Sequence, residues 1–157
     1  MGKLFETSDE FVDLIEDQFS KTNLDTLGIN IKVMSTTNAK DMMKVTKTSA
    51  VMDYITKEDT SVLVTLYEQA FDRLPKDVQE MLVEMALSNV SYDTEKDKLN
   101  IETNPFKQVF AMRRKYGEVI LDNIELAHLT IQQIEDEERE RKEAEKEMKK
   151  AKKAKLE

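Results

Sequence analysis

The sequence predicts an α+β fold followed by a long charged helix, and three observations support this prediction. Apolar and polar residues alternate over 29–34, and the run 61–67 is apolar and rich in β-branched side chains, so both are predicted strands. Over 76–90 apolar residues surround the predicted helix almost completely, which indicates a helix buried against a short sheet. Beyond residue 134 most side chains are charged.

The first predicted helix begins with a capping box. Thr7 is the expected N-cap and Glu10 the third helical residue, and apolar residues at i+4 spacing follow them. The strand at 29–33 comes next. A second helix is then predicted to begin at Thr37 or Asn38 and to run through Met42 and Met43, followed by a poorly defined segment to Ile55. The central strand at 61–67 comes after it.

The second half of the chain reads as a helix, a short strand and a final helix. Pro75 suits the first turn of the helix at 76–90. A polar loop covers 93–98 and a short strand 99–101, and a single final helix begins near Phe106. That helix carries an apolar seam spaced 4-3-4-3, which is expected to pack on the body or to contact a partner: Ile120, Ile124, Ala127, Ile131 and Ile134.

Charge divides the chain into two predicted units. Residues 1–134 form the globular α+β domain and carry the whole net charge of −8. Residues 135–157 form a charged helical or frayed tail, which is neutral overall but polarised. Its first part, 135–147, holds eight acidic and four basic residues, and its last part, 148–157, holds five lysines and one Glu. Acid–base pairs at i,i+4 such as Glu135–Arg139 are expected to support it.

Composition excludes several classes of protein. The chain has no cysteine and one histidine, His128, so disulfides, thiolate metal sites, cysteine nucleophiles and sites with two histidines are ruled out. No cofactor is expected. The first residues lack the apolar segment of a signal peptide, and no apolar run is long enough to span a membrane. A cytoplasmic protein is therefore predicted, and its acidic body disfavours contact with nucleic acid.

Residues 29–122 resemble the phage metallopeptidase family, a group of small zincin-like proteins. The resemblance is carried by a strand and turn at 63–74, an active-site-type helix at 77–90, and a segment at 104–110 that leads to the Arg-Arg-Lys-Tyr-Gly of 113–117. It implies a small zincin-like domain and a phage origin, with the host cytoplasm as the location.

The family's catalytic residues are missing from the matching positions. In an H-E-x-x-H helix two histidines bind zinc and the glutamate activates water. The resemblance places Met85 and Asn89 at the two ligand positions, Ala86 at the base and Asn104 at a further ligand. Because thioethers and carboxamides are poor zinc ligands and alanine transfers no proton, the resemblance implies a protein that has lost its chemistry.

The sequence therefore predicts a non-catalytic protein that acts through protein binding, as an accessory or assembly factor. Two regions are candidate contacts for the partner, the seam of the final helix and the lysine-rich end of the tail. The residues concerned are Ile120, Ile124, Ile131, Ile134, Lys149, Lys150, Lys152 and Lys153.

Two alternatives stay open at this stage. The protein could be an acidic decoy that occupies a host nucleic-acid-binding protein. It could also be an enzyme whose site has been rebuilt from carboxylates around a hard metal ion, with Glu84, Asp93 or Glu102 as ligands.

Overall fold

The computed structural model describes residues 2–103 and 105–156, and it confirms the α+β class. Within these residues the helices are α1 (Asp9–Ser20), α2 (Ala50–Thr56), α3 (Glu68–Asp72), α4 (Lys76–Leu87), α5 (Pro105–Tyr116) and α6 (Val119–Leu156). The strands are β1 (Leu4–Phe5), β2 (Ile31–Thr36), β3 (Met43–Lys47), β4 (Val62–Leu66), β5 (Val90–Asp93) and β6 (Lys98–Ile101). None of the helices described is long and apolar enough to cross a membrane.

Four strands form a mixed sheet in the order β1-β2-β4-β3, and β5 and β6 form a separate hairpin. Strand β4 is parallel to β2 and antiparallel to β3, so the prediction that 61–67 forms a central strand is confirmed. Only one face of β4 is fully buried, with Val62, Val64 and Leu66 inaccessible, while Leu63 and Thr65 on the other face are half-buried. Helices α1 and α4 cover the first face.

Helix α4 is the central helix of the core, as predicted, but it ends at Leu87. Val83 and Leu87 are almost completely buried. Residues from Val90 onward, predicted to end this helix, instead pair as β5 with β6. The hydroxyl of Ser88 donates to the carbonyl of Met85 at 2.6 Å, which satisfies one of the free carbonyls at the end of the helix.

The predicted capping box at Thr7 is wrong. Thr7 is buried, and its hydroxyl shares a 2.7 Å hydrogen bond with the hydroxyl of Ser35 on β2. The N-cap of α1 is Ser8, whose side chain makes no capping bond. The Ser8 amide donates to the Glu68 carboxylate at 2.9 Å. The Thr7 hydroxyl, which the capping-box pattern assigned to the helix N-terminus, therefore helps to hold α1 against the sheet.

The predicted helix from Thr37 or Asn38 through Met43 is also wrong, because this part of the chain contains β3. Met43 and Val45 pack against the core and alternate with Lys44 and Thr46. Pairing with β4 fixes the segment as a strand. A helix follows only at α2, where the Ser49 side chain accepts a hydrogen bond from the Met52 amide at 3.1 Å.

The single final helix of the prediction is two helices. Gly117 separates α5 from α6 with a φ of 75°, a conformation that glycine adopts without the strain felt by other residues. Its amide donates to the Arg113 carbonyl at 2.8 Å. The chain reverses there, so that α5 packs against α6.

The apolar seam of α6 packs on the body. Ile120 and Ile134 are inaccessible and Ile131 is buried, while Ile124 is half-buried. The prediction that this seam contacts a partner is wrong for the three buried isoleucines, because the chain's own core covers them. The boundary proposed at residue 134 lies inside the continuous helix α6, and the side chains that follow it are mostly exposed.

Candidate functional site

A cleft of about 410 Å³ lies between the edge strand β3, helix α4 and helix α6. Met42, Met43 and Val45 line the side formed by β3 and the residue before it. Ile124 and His128 line the side formed by α6. The two sides come from parts of the chain about 80 residues apart in sequence, and α4 lies between them.

The degenerate positions of the resemblance meet in this cleft. Met85, Ala86 and Asn89 all line it, the first two from the last turn of α4 and Asn89 from the residues that follow the helix. Asn104, the further ligand position, lies outside the described residues. Glu102 also lines the cleft, and its carboxylate pairs with the Lys107 ammonium at 3.4 Å.

The cleft offers apolar contact and hydrogen bonding. Thioether, methyl and isoleucine side chains dominate its walls, and unbranched methionine adapts well to irregular apolar surfaces. The Asn89 amide can donate and accept hydrogen bonds. Across residues 2–103 and 105–156, no three His, Asp or Glu side chains are grouped so that they could hold a metal ion.

Among residues 2–103 and 105–156 no strand pairs with the outer side of β3, so this strand adds a free backbone edge to the cleft. Hydrogen bonds from the Tyr67 amide to the Met42 carbonyl and from the Thr48 amide to the Ser61 carbonyl, both 2.9 Å, mark which residues of this segment bond to β4. Hydrogen-bonded positions alternate in an antiparallel pair. The amides and carbonyls of Met43, Val45 and Lys47 therefore point away from β4, at the edge of the sheet.

Sequence reasoning missed β3 and His128 as parts of this site. The period-2 pattern of Met43 and Val45 with Lys44 and Thr46 was a usable signal for the strand. His128 stands one residue from the seam position Ala127, which places it beside the packed face of α6. Nothing local in the sequence indicates that both reach α4.

The three carboxylates of the alternative metal site have separate partners. Glu84 accepts hydrogen bonds from Lys115 and Tyr116 of α5. Asp93 accepts from the backbone amides of Glu95 at 3.0 Å and Lys96 at 3.2 Å, in the turn of the β5–β6 hairpin. Only Glu102 lines the cleft. The structure thus does not bring these acids together as a ligand set.

The contact of Glu84 with α5 is an electrostatic link between α4 and α5. Partial burial raises the pKa of Glu84, but the hydrogen bonds from Lys115 and Tyr116 outweigh it and hold that pKa below its ordinary value. The same hydrogen bond, together with burial, raises the pKa of Tyr116. The Lys115 ammonium also lies 5.0 Å from the centre of the Tyr116 ring.

The lysine-rich candidates lie far along α6 from this cleft. Lys149, Lys150, Lys152 and Lys153 are exposed, and none of them lines the cleft. The cleft and the lysine-rich end are therefore two separate surfaces.

No family model, curated protein or solved structure matches the chain.

Proposed function

We propose that the chain is a non-catalytic binding protein whose cleft takes up an extended segment of another protein. The supporting observation is the position of the cleft, where a methionine-rich apolar wall lies directly beside the free edge of β3. Strand addition uses both features, because backbone hydrogen bonds give affinity and adjacent pockets select side chains.

The bound segment would pair with Met43, Val45 and Lys47. Its alternate side chains would then face α4, where Met85 and Ala86 offer apolar contact and Asn89 a hydrogen-bonding amide. Lysine on an edge strand is a common device against uncontrolled strand pairing, and here Lys44 and Lys47 supply it. A selective partner is therefore expected in place of general aggregation.

The resemblance to phage metallopeptidases supports a cleft that binds peptides. A zincin-like body whose ligand and base positions hold Met85, Asn89 and Ala86 would retain a cleft for peptides without the means to cleave them. An accessory or assembly role, as predicted from the sequence, follows from binding without turnover.

The test is selection of displayed random peptides on the immobilised protein, followed by a backbone variant. Val45→Pro removes an amide at the free edge and leaves the bonds of Lys44 and Thr46 to β4 intact. Selected peptides should lose binding to Val45→Pro. They should keep it for Thr65→Ser, a control change on the other face of the sheet.

Hydrogen exchange with a selected peptide locates the binding. On addition of peptide the amides of Met43, Val45 and Lys47 should become protected, whereas those of Lys44 and Thr46 are already protected by β4. Unchanged binding to Val45→Pro, or protection confined to another surface, would contradict the proposal.

A further inference from the structure

The mixed sheet is positively charged in a chain whose net charge is −8. Its four strands contain Lys32, Lys44 and Lys47 and no acidic residue. Lys32 pairs with Glu58 at 2.7 Å, whereas no ion pair among the described residues includes Lys44 or Lys47. Both of these lysines are exposed on β3. The free edge at which the proposed segment binds therefore carries positive charge.

Alternation along β3 separates Lys44 from the side chains that face the cleft. Met43 and Val45 pack against the core and line the cleft. Lys44 stands between them at the rim, and its side chain leaves the strand on the opposite face of the sheet. A segment added to this edge alternates in the same way, whether it runs parallel or antiparallel. Its residue beside Lys44 therefore points away from the cleft, and the residues on either side of it point towards α4.

We propose that the segment bound at β3 is acidic at the position beside Lys44 and apolar at the two positions that flank it. This inference rests on the proposed function, because it names the kind of segment that the cleft and the edge of β3 accept. The two apolar side chains, beside Met43 and Val45, enter the methionine-rich cleft. The carboxylate between them pairs with the Lys44 ammonium, so Lys44 selects the segment by charge.

A second copy of β3 does not fit this edge. Antiparallel pairing of two β3 strands about Val45 would place Lys44 of each copy opposite Thr46 of the other, and Lys47 opposite Met43. Four lysines would then gather on two short strands that contain no acidic residue. Charges of one sign on adjacent strands repel, and lysine at a sheet edge is a known device against such pairing. An acidic segment turns this repulsion into attraction.

Nucleic acid also carries negative charge, but the sheet lacks what an unpaired strand needs. Proteins hold unpaired bases by stacking them on aromatic side chains. Phe5 is the only aromatic residue in the four strands, and it lies on β1 at the edge of the sheet opposite to Lys44. The net charge of −8 also repels phosphates. A peptide carboxylate flanked by apolar side chains fits both the lysine and the cleft.

Selection of displayed random peptides on three forms of the full chain tests this inference. On the natural chain, peptides that protect the amides of Met43, Val45 and Lys47 from hydrogen exchange should share Asp or Glu between two apolar residues. Lys44→Glu should select Lys or Arg at that position instead. Lys3→Glu makes the same change of charge beside β1, at the other edge of the sheet, and should select the same acidic peptides as the natural chain.

Replacement of the acidic residue in one selected peptide measures the size of the effect. Alanine at that position should weaken binding to the natural chain by up to about fivefold, as expected for one cross-strand ion pair, and lysine should weaken it further. This order of affinities should reverse for Lys44→Glu, and the differences should shrink at about 1 M salt. Because Lys44 is exposed and its backbone pairing with β4 is kept, Lys44→Glu should melt at the same temperature as the natural chain.

Two outcomes would overturn this inference and leave the proposed function standing. One is selected peptides that protect the edge of β3 without any preference for an acidic residue. The other is an unchanged order of affinities for Lys44→Glu. If no selected peptide protects that edge, the proposed function fails and the inference fails with it. Displacement of the peptide by an oligothymidine strand would also overturn the inference, because Lys44 would then bind phosphate.

Discussion

The two halves of α6 form one continuous helix but differ in what covers them. From Val119 to Ile134 the helix presents an apolar seam to the core, and Ile120 and Ile134 are inaccessible. From Glu135 onward nearly every side chain is exposed, and Met148 is 64% exposed. Burial, not helix continuity, therefore marks where the body ends.

The two halves also differ in what they contact. The first half supplies one wall of the cleft through Ile124 and His128, so it belongs to the proposed peptide-binding site. The second half, residues 135–156, is here called the arm. Among the described residues one ion pair joins it to the body, in which both terminal nitrogens of Arg73 bond to the Glu137 carboxylate at 3.2 and 2.8 Å.

Truncation of one apolar side chain in each half should give the largest contrast. Ile134→Ala should lower the free energy of unfolding by about 2–5 kcal/mol, because the side chain is fully buried and leaves a cavity. Met148→Ala should change it by less than about 0.5 kcal/mol. Urea unfolding of the two variants at high salt measures both values, and equal effects would mean that the arm is packed as tightly as the body.

Met85 should show an intermediate effect, because it is half-buried in the wall of the cleft. Met85→Ala should cost roughly 1–2 kcal/mol, less than a fully buried methionine. The same substitution widens the cleft, so selected peptides should bind with altered side-chain preference opposite residue 85. A cost equal to that of Ile134→Ala would place Met85 in the core and remove it from the cleft surface.

Acid should weaken the body through the link between Glu84 and α5. The pKa of Glu84 is lower in the folded chain than its ordinary value of 4.5, so its contribution is complete above pH 4.5 and is lost as the pH falls through the folded-state pKa. Glu84→Gln should therefore flatten the acid side of the curve of unfolding free energy against pH. Glu80→Gln, at an exposed position one turn earlier, is the control.

If the unfolding free energy of Glu84→Gln fell with acid as steeply as that of the natural chain, the hydrogen bonds from Lys115 and Tyr116 would not stabilise the fold. Tyr116→Phe separates the two donors, because it removes one hydrogen bond to Glu84 and keeps the other. Tyr116→Phe should also flatten the fall of the unfolding free energy at acid pH, and by less than Glu84→Gln.

The sequence predicted the elements whose pattern is both long and apolar. The central strand β4 follows from its apolar, β-branched run, the buried helix α4 from apolar residues on nearly every side, and the packed seam of α6 from its 4-3-4-3 spacing. It did not place β3, because the alternation over Met43–Lys47 is a strand signal of only five residues and pairing with β4 decides the outcome. The signal for the break after α5 was present, as basic residues precede Gly117.

The candidate site was predictable only in part. Met85, Ala86 and Asn89 are brought into one site by the resemblance to an H-E-x-x-H helix. Other parts of the lining come from β3 and from His128 on α6. No local sequence pattern predicts that these two elements pack beside α4. The expected i,i+4 pair of Glu135 with Arg139 is replaced by a pair of Arg139 with Asp136, and Glu137 pairs with Arg73 of the body.

Amide hydrogen exchange along α6 tests the division of this helix most directly. The measurement is made on the intact chain at about 1 M salt, where the exposed ion pairs of the arm are screened. Amides from Ala127 to Ile134 should exchange only with unfolding of the body, and those beyond about Glu138 should exchange much faster through local opening. Uniform protection from Ala127 to Leu156 would contradict the account, because it would show that the arm is held as firmly as the seam.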